Sequence, residues 1–214
     1  MNRLKEYENL YKLYRRSQTK RLLLFAVFFG LFVLSFLLMI TDVPFDIIMV
    51  MMLMIMPAIA VGIICLVMRR MTAKSLARFT SDELRRIDSA VLTIPMQRGF
   101  GVTRDALVSS KGRLFLYPVK DILWIYKHVD TTKLYGIITV SKISSVVIAG
   151  KDKKRYDFII KNKSNIVEFL QKELQPYRKG IIYGYAPELD KMFNKEFDKM
   201  VSSCEEYERE HNEF

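Results

Sequence analysis

Two apolar runs constrain this chain more than any other feature. From Leu22 to Ile40, nineteen residues include only Ser35 as a markedly polar member, and from Ile47 to Met68, twenty-two residues include no charge. A helix needs about 20 such residues to cross about 30 Å of hydrocarbon. The runs therefore read as transmembrane helices at 22–40 and 47–68, joined by the turn Thr41 to Asp46. Arg3, Lys5, Lys12, Arg15, Arg16, Lys20 and Arg21 precede the first run, Arg69, Arg70, Lys74 and Arg78 follow the second, and the turn carries only Asp42 and Asp46. By the positive-inside rule this predicts a multi-pass cell-membrane protein with both termini cytosolic. The only two cysteines, Cys65 and Cys204, exclude a disulfide scaffold.

Small residues four apart let membrane helices approach closely, and Ala26 with Gly30 faces Ala58 with Gly62 at matching depth, so these four are the expected transmembrane packing contact. Met49, Met51, Met52, Met54 and Met56 crowd the second run; with no ionisable residue in either run they read as flexible packing rather than a copper path. Residues 1–21 read as a basic juxtamembrane helix, with Leu4, Tyr7, Tyr11 and Tyr14 on one face suited to the headgroup layer.

Residues 69–96 form a linker helix. Thr80 and Glu83 make a capping box, Phe79 and Leu84 a hydrophobic staple, and Leu84, Ile87 and Val91 an apolar stripe. From about Gln97 the period changes to two. Strands are expected at Ala106 to Ser109, Arg113 to Tyr117, Ile122 to Tyr126, Tyr135 to Val140, Ser145 to Ile148 and Arg155 to Ile160, separated by turn residues. Val167, Leu170 and Leu174 mark a helix ended by Pro176, followed by a short strand at Gly180 to Tyr183. A last helix begins at Pro187 with Leu189, Phe193, Phe197 and Met200 inward, and 202–214 is an acidic tail. The expected fold is α+β: an N-terminal transmembrane helical hairpin followed by a cytosolic antiparallel β meander with C-terminal helices over 97–201.

The Lys111-Gly112-Arg113 hairpin, the aromatic strand Asp121 to Tyr126 and the basic hairpin Lys151 to Arg155, behind two apolar runs, give an organisation that resembles small bacterial two-span membrane proteins of unknown function with a cytosolic pleckstrin-homology-like domain. The resemblance implies a partly open barrel and supplies no catalytic residues. The chain departs from the plan of seven strands then a helix, because six expected strands precede the helix and a further strand and helix follow it.

Motifs for chemistry are absent. There is no His-Glu-x-x-His, no Gly-x-Ser-x-Gly, no Cys-x-x-Cys and no glycine-rich phosphate or dinucleotide loop. His128 and His211 have no partners visible in the sequence, and Asp121, Asp130 and Asp157 are not paired along it. No catalytic, cofactor or metal residue is assigned. Positive charge stands out instead: residues 69–201 carry 26 Lys and Arg against 14 Asp and Glu. Lys151, Lys153, Lys154 and Arg155 sit at one turn and are the candidate anionic-lipid contact, worth about 1 kcal/mol per base near an acidic surface. The competing reading is a solvated hairpin whose charges discourage edge pairing. The expected role is a non-catalytic cytosolic binding or regulatory module. Its partners would be membrane lipids or a membrane protein, with homo-oligomers left open and nucleic acid not expected, since no recognition helix or aromatic signature accompanies the charge. The alternatives are an enzyme whose site is assembled from distant residues, or a small accessory subunit of a transporter or envelope complex.

Overall fold

A strand with no polar face must be covered on both sides. Ala106, Leu107 and Val108 are consecutive and fully buried, and so are Leu123, Trp124 and Ile125. The architecture follows from covering four apolar sheet faces. In the computed structural model the backbone is described for residues 2–39, 45–111, 113–134, 138–160 and 165–212, and the side chains within these for all but 2–3, 20–22, 28, 31–32, 34–39, 45–58, 132–134, 138–140 and 212.

Four helices come first: α1 Asn2–Lys5, α2 Glu8–Met39, α3 Phe45–Leu76 and α4 Ser81–Ala90. β1 Phe100–Val102, β2 Ala106–Ser109 and β3 Phe115–Pro118 form one antiparallel meander. A 3-10 turn at Val119–Asp121 leads to β4 Ile122–Leu134, β5 Ile138–Gly150 and β6 Arg155–Ile160, a second antiparallel meander. α5 Ile166–Leu174 follows, then β7 Ile182–Tyr183, which joins β4 in parallel, and finally α6 Pro187–Lys195 and α7 Phe197–Asn212. The second sheet has the order β6-β5-β4-β7.

The inner faces of the sheets meet in one core. Phe100, Leu107, Phe115 and Tyr117 from the first pack with Ile125, Val146, Ile148 and Phe158 from the second, and α5 closes the gap with Ile166, Leu170 and Leu174. The outer face of the first sheet, Ala106, Val108 and Leu116, is covered by Leu4, Tyr7 and Leu10 from the N-terminal helices and by Leu84 and Ile87 from α4. Asp88 fixes that cover by accepting the Leu10 backbone N–H at 2.8 Å. The outer face of the second sheet, Trp124, Tyr126 and Val147, is covered by Phe193, Phe197, Met200 and Cys204 from α6 and α7.

Several sequence expectations are corrected. Among the described residues no helix is long and apolar enough to cross a membrane, so the transmembrane hairpin at 22–40 and 47–68 is not supported, and the multi-pass cell-membrane placement with cytosolic termini loses its basis. The described side chains of α3, residues 59–76, include Arg69, Arg70 and Lys74, and those of α2 are dominated by its basic N-terminal half. The helices do touch: a Cβ at Gly62 would lie 3.6 Å from the Phe25 ring. Ala26 and Gly30 are exposed, and among the described residues nothing lies within 4 Å of a Cβ at Gly30. The Ala58 side chain, the Met49 to Met56 cluster and most of the Thr41 to Asp46 turn lie outside the described residues. The tyrosine face of the N-terminal helix packs on protein, with Tyr7 4% exposed. The expected strand at Tyr135 to Val140 is not separate: from Ile138 it belongs to β5, which together with β4 makes a hairpin of 13-residue strands. The acidic tail expected from Ser202 is, as far as Asn212, the continuation of α7, with Cys204 buried in the third core.

This last point is testable. Deleting residues 202–214 removes Cys204 from the core and takes Glu208 from the buried Arg178, whose Nε lies 3.1 Å from it. Leaving a buried charge without its partner is strongly destabilising. The urea-unfolding stability of the truncated chain is expected to fall by about 3 kcal/mol. An unchanged midpoint would show that α7 contributes nothing beyond Val201.

Candidate anion-binding site

The basic turn between β5 and β6 is tight. The Lys153 N–H donates to the Gly150 carbonyl at 3.1 Å, the Gly150 N–H donates to the Lys154 carbonyl at 3.1 Å, and Lys153 takes the left-handed conformation with φ +57°. Its four cations do not point one way. Lys151 pairs with Glu205 of α7. Arg155 pairs with Asp190 of α6 at 2.8 Å and lies 4.7 Å over the Phe193 ring, and the Lys153 ammonium lies 4.7 Å over the Phe197 ring. These three fasten the C-terminal helices to the second sheet. Lys154 alone turns toward α3.

Asp152, in the same turn, is the hub on that side. Its Oδ2 accepts from Arg78 Nη2 at 2.7 Å and from the Tyr156 hydroxyl at 2.6 Å, and its Oδ1 accepts from the Tyr117 hydroxyl at 3.1 Å. Arg78 also donates to the Tyr156 hydroxyl at 2.6 Å and stacks 4.7 Å over the Tyr117 ring. Burial alone would raise the Asp152 carboxyl, but the hydrogen bonds from Tyr156 and Arg78, with the Arg78 charge, hold it below its ordinary value. Burial and the bond to Asp152 push the Tyr156 phenol up to about 12, and burial raises Tyr117 as well. Gly150 makes room for this: a Cβ there would fall inside the Tyr117 hydroxyl.

Beside the hub lies a cavity of about 230 Å³ whose wall includes Lys74 of α3, Arg78 just after α3, Arg113 before β3, Phe115, Lys154 and Tyr156. Four cations converge here, and Asp152 answers only Arg78. Arg113 is half-buried: its guanidinium contacts the Met71 sulfur and lies 5.4 Å over the Phe115 ring, and among the described residues no carboxylate pairs with it. Burial pulls its proton affinity below the usual guanidinium range. A half-buried cation with only sulfur and ring contacts is incompletely solvated.

The sequence grouped Lys154 with Lys151, Lys153 and Arg155 as one candidate contact, whereas the fold turns those three to α6 and α7 and leaves Lys154 at the cavity. It noted Arg113 only as part of a hairpin, and Lys74 and Arg78 only as flanking charge. Among the described residues no group of three His, Cys, Asp or Glu side chains could hold a metal ion. Among the described residues His128 meets Asp130, at 2.9 Å on the exposed hairpin, and His211 stacks on Tyr207; neither lines the cavity. Comparison with protein-family models, curated proteins and solved structures finds no match.

Asp152→Asn tests the hub. It keeps the shape and removes the charge facing Arg78, so stability at neutral pH is expected to drop by about 1–2 kcal/mol. Because the folded-state carboxyl is depressed, its contribution is present above the ordinary value of 3.8 and is lost as pH falls through the lower folded value. The gap between wild type and variant in chemical denaturation should therefore narrow on going from pH 6 to pH 3; a constant gap would mean the charge is not what Asp152 supplies.

Proposed function

We propose that this chain is a non-catalytic binding module that seats an oxyanion, a phosphate or a carboxylate, among Lys74, Arg113 and Lys154. The observation that carries the reading is Arg113, half-buried at a small cavity with a sulfur and a ring as its partners. A guanidinium is planar and offers paired donors matched to phosphate and carboxylate, and such charge-assisted bonds are roughly twice as strong as neutral ones. Lys74 and Lys154, both exposed at the rim, add point charge that draws an anion in. Anionic lipid stays within this chemistry through Lys154, while Lys151, Lys153 and Arg155 serve the fold.

The test titrates the full chain with inorganic phosphate, and separately with vesicles of phosphatidylcholine with or without phosphatidylglycerol. Phosphate binding is expected to weaken about tenfold in Arg113→Gln and in Lys154→Glu, to weaken as salt rises, and to be unchanged in Lys153→Glu. Preference for acidic vesicles without phosphate binding would assign the anion to a lipid headgroup. If neither phosphate nor acidic vesicles bind, or if Lys153→Glu weakens binding as much as Lys154→Glu, the cavity is not the site.

A further inference from the structure

We propose that the oxyanion is carried by an extended peptide segment that adds as a strand to the free edge of β6; this rests on the anion-site reading and names its partner. In the order β6-β5-β4-β7, β6 is hydrogen-bonded to β5 on one side, and among the described residues no strand lies on the other. A strand edge offers alternating N–H and C=O groups to any chain laid beside it.

Next to that edge runs a groove of about 690 Å³, with Val67, Met68 and Met71 of α3 on one side and residues 157–160 of β6 on the other. Its apolar members are uncovered: Ile159 is 66% exposed and Met71 44%. Ile159 is paired with Ser145 in the ladder, on the face turned away from the Phe158 and Ile160 side chains that enter the core. Alternate side chains of an added strand would therefore meet Ile159 and the α3 methionines. Met71 and Arg113 border both this groove and the cation cavity, so the two adjoin.

Charge sets the kind of peptide. The cavity presents Lys74, Arg113 and Lys154, and the groove wall holds Lys111 and Asp157 as well as Arg113, so the surplus of positive charge lies where the two meet. A chain that is apolar along its length and carries one acidic or phosphorylated residue at the cavity end complements both. A lipid headgroup could fill the cavity but would leave the β6 edge groups without a strand; a polypeptide satisfies both features. This favours peptide over lipid.

The experiment measures binding of labelled seven-residue peptides of alternating Val and Thr, with phosphoserine at the first or the last position, to the full chain. One of the two is expected to bind at least about tenfold tighter than inorganic phosphate. In an added strand alternate amides face the edge, so N-methylating one alternate set should remove the gain and methylating the other should not. Ile159→Asp, at an exposed position, should weaken the peptide about tenfold and leave inorganic phosphate unchanged. Peptides no tighter than phosphate, or insensitive to both methylation sets, would overturn the strand partner while leaving the anion site standing. Binding to acidic vesicles that Ile159→Asp does not alter, with no gain from peptide, would overturn it in favour of a headgroup. Failure of phosphate and peptide alike would remove the anion site itself.

Discussion

Burial of both faces of both sheets is the constraint on which the rest of the structure depends. β2 and the first half of β4 have no polar side, so each sheet needs a layer beneath it and another above it. The shared core and α5 supply the inner pair. The outer pair comes from the two ends of the chain: α1, the start of α2 and α4 on the first sheet, α6 and α7 on the second. The terminal helices are thus integral to the β region, and removing them would expose Val108 and Leu116 on one side and Trp124 and Tyr126 on the other. At about 25 cal/mol per Å² of apolar surface, even one such face outweighs any surface ion pair in the molecule.

The same layering explains why one turn does so much. The segment from Lys151 to Arg155 lies where α3, the second sheet, and α6 and α7 all come within reach. Lys151 and Arg155 fasten the C-terminal helices, and Asp152 fastens the end of α3 through Arg78. The pairs to α6 and α7, open to solvent, are screened and add little to stability. Arg178 is different: it is 3% exposed, it donates to the Val119 and Lys120 carbonyls, and its Nε faces Glu208, so it ties the 3-10 turn to α7 from inside. Among the described residues its remaining Nη2 is buried without a partner, as is the Tyr183 hydroxyl, which makes that corner costly to disturb.

What the sequence disclosed depended on how local the cause was. The Thr80 and Glu83 capping box appears in the structure with both of its hydrogen bonds, because its partners are three residues apart. The stripes of α4 and α5 were also legible, since helical spacing alone places Leu84 with Ile87, and Leu170 with Leu174, inward. The N-terminal stripe was legible as a stripe but not in what it faces: an amphipathic helix bearing tyrosines has the same pattern whether its apolar side meets a headgroup layer or Val108 and Leu116 of a sheet. The parallel pairing of β7 with β4 joins Trp124 to Ile182, and no turn residue announces it. Apolar length was read as membrane crossing; among the described residues the helices concerned carry charge at the ends that pack on the β domain.

The cation cavity was hidden for a related reason. Lys151 and Lys154 are three residues apart and identical in sequence chemistry, yet one meets Glu205 and the other rims a cavity with Arg113 and Lys74. A formal charge of +11 does not distinguish them. The distinguishing quantity is whether each cation has found an anion within the fold, and Glu205 is 54 residues from Lys151. Net charge draws an anionic partner toward the whole surface, within a Debye length of about 8 Å at physiological ionic strength. Retention requires a cation that burial has already partly stripped of water and that the chain has not neutralised, because only there does a new anion gain more than the solvent it displaces. Arg113 meets that condition, and its place between the cavity and the apolar groove makes the position of a ligand's charge matter as much as its presence.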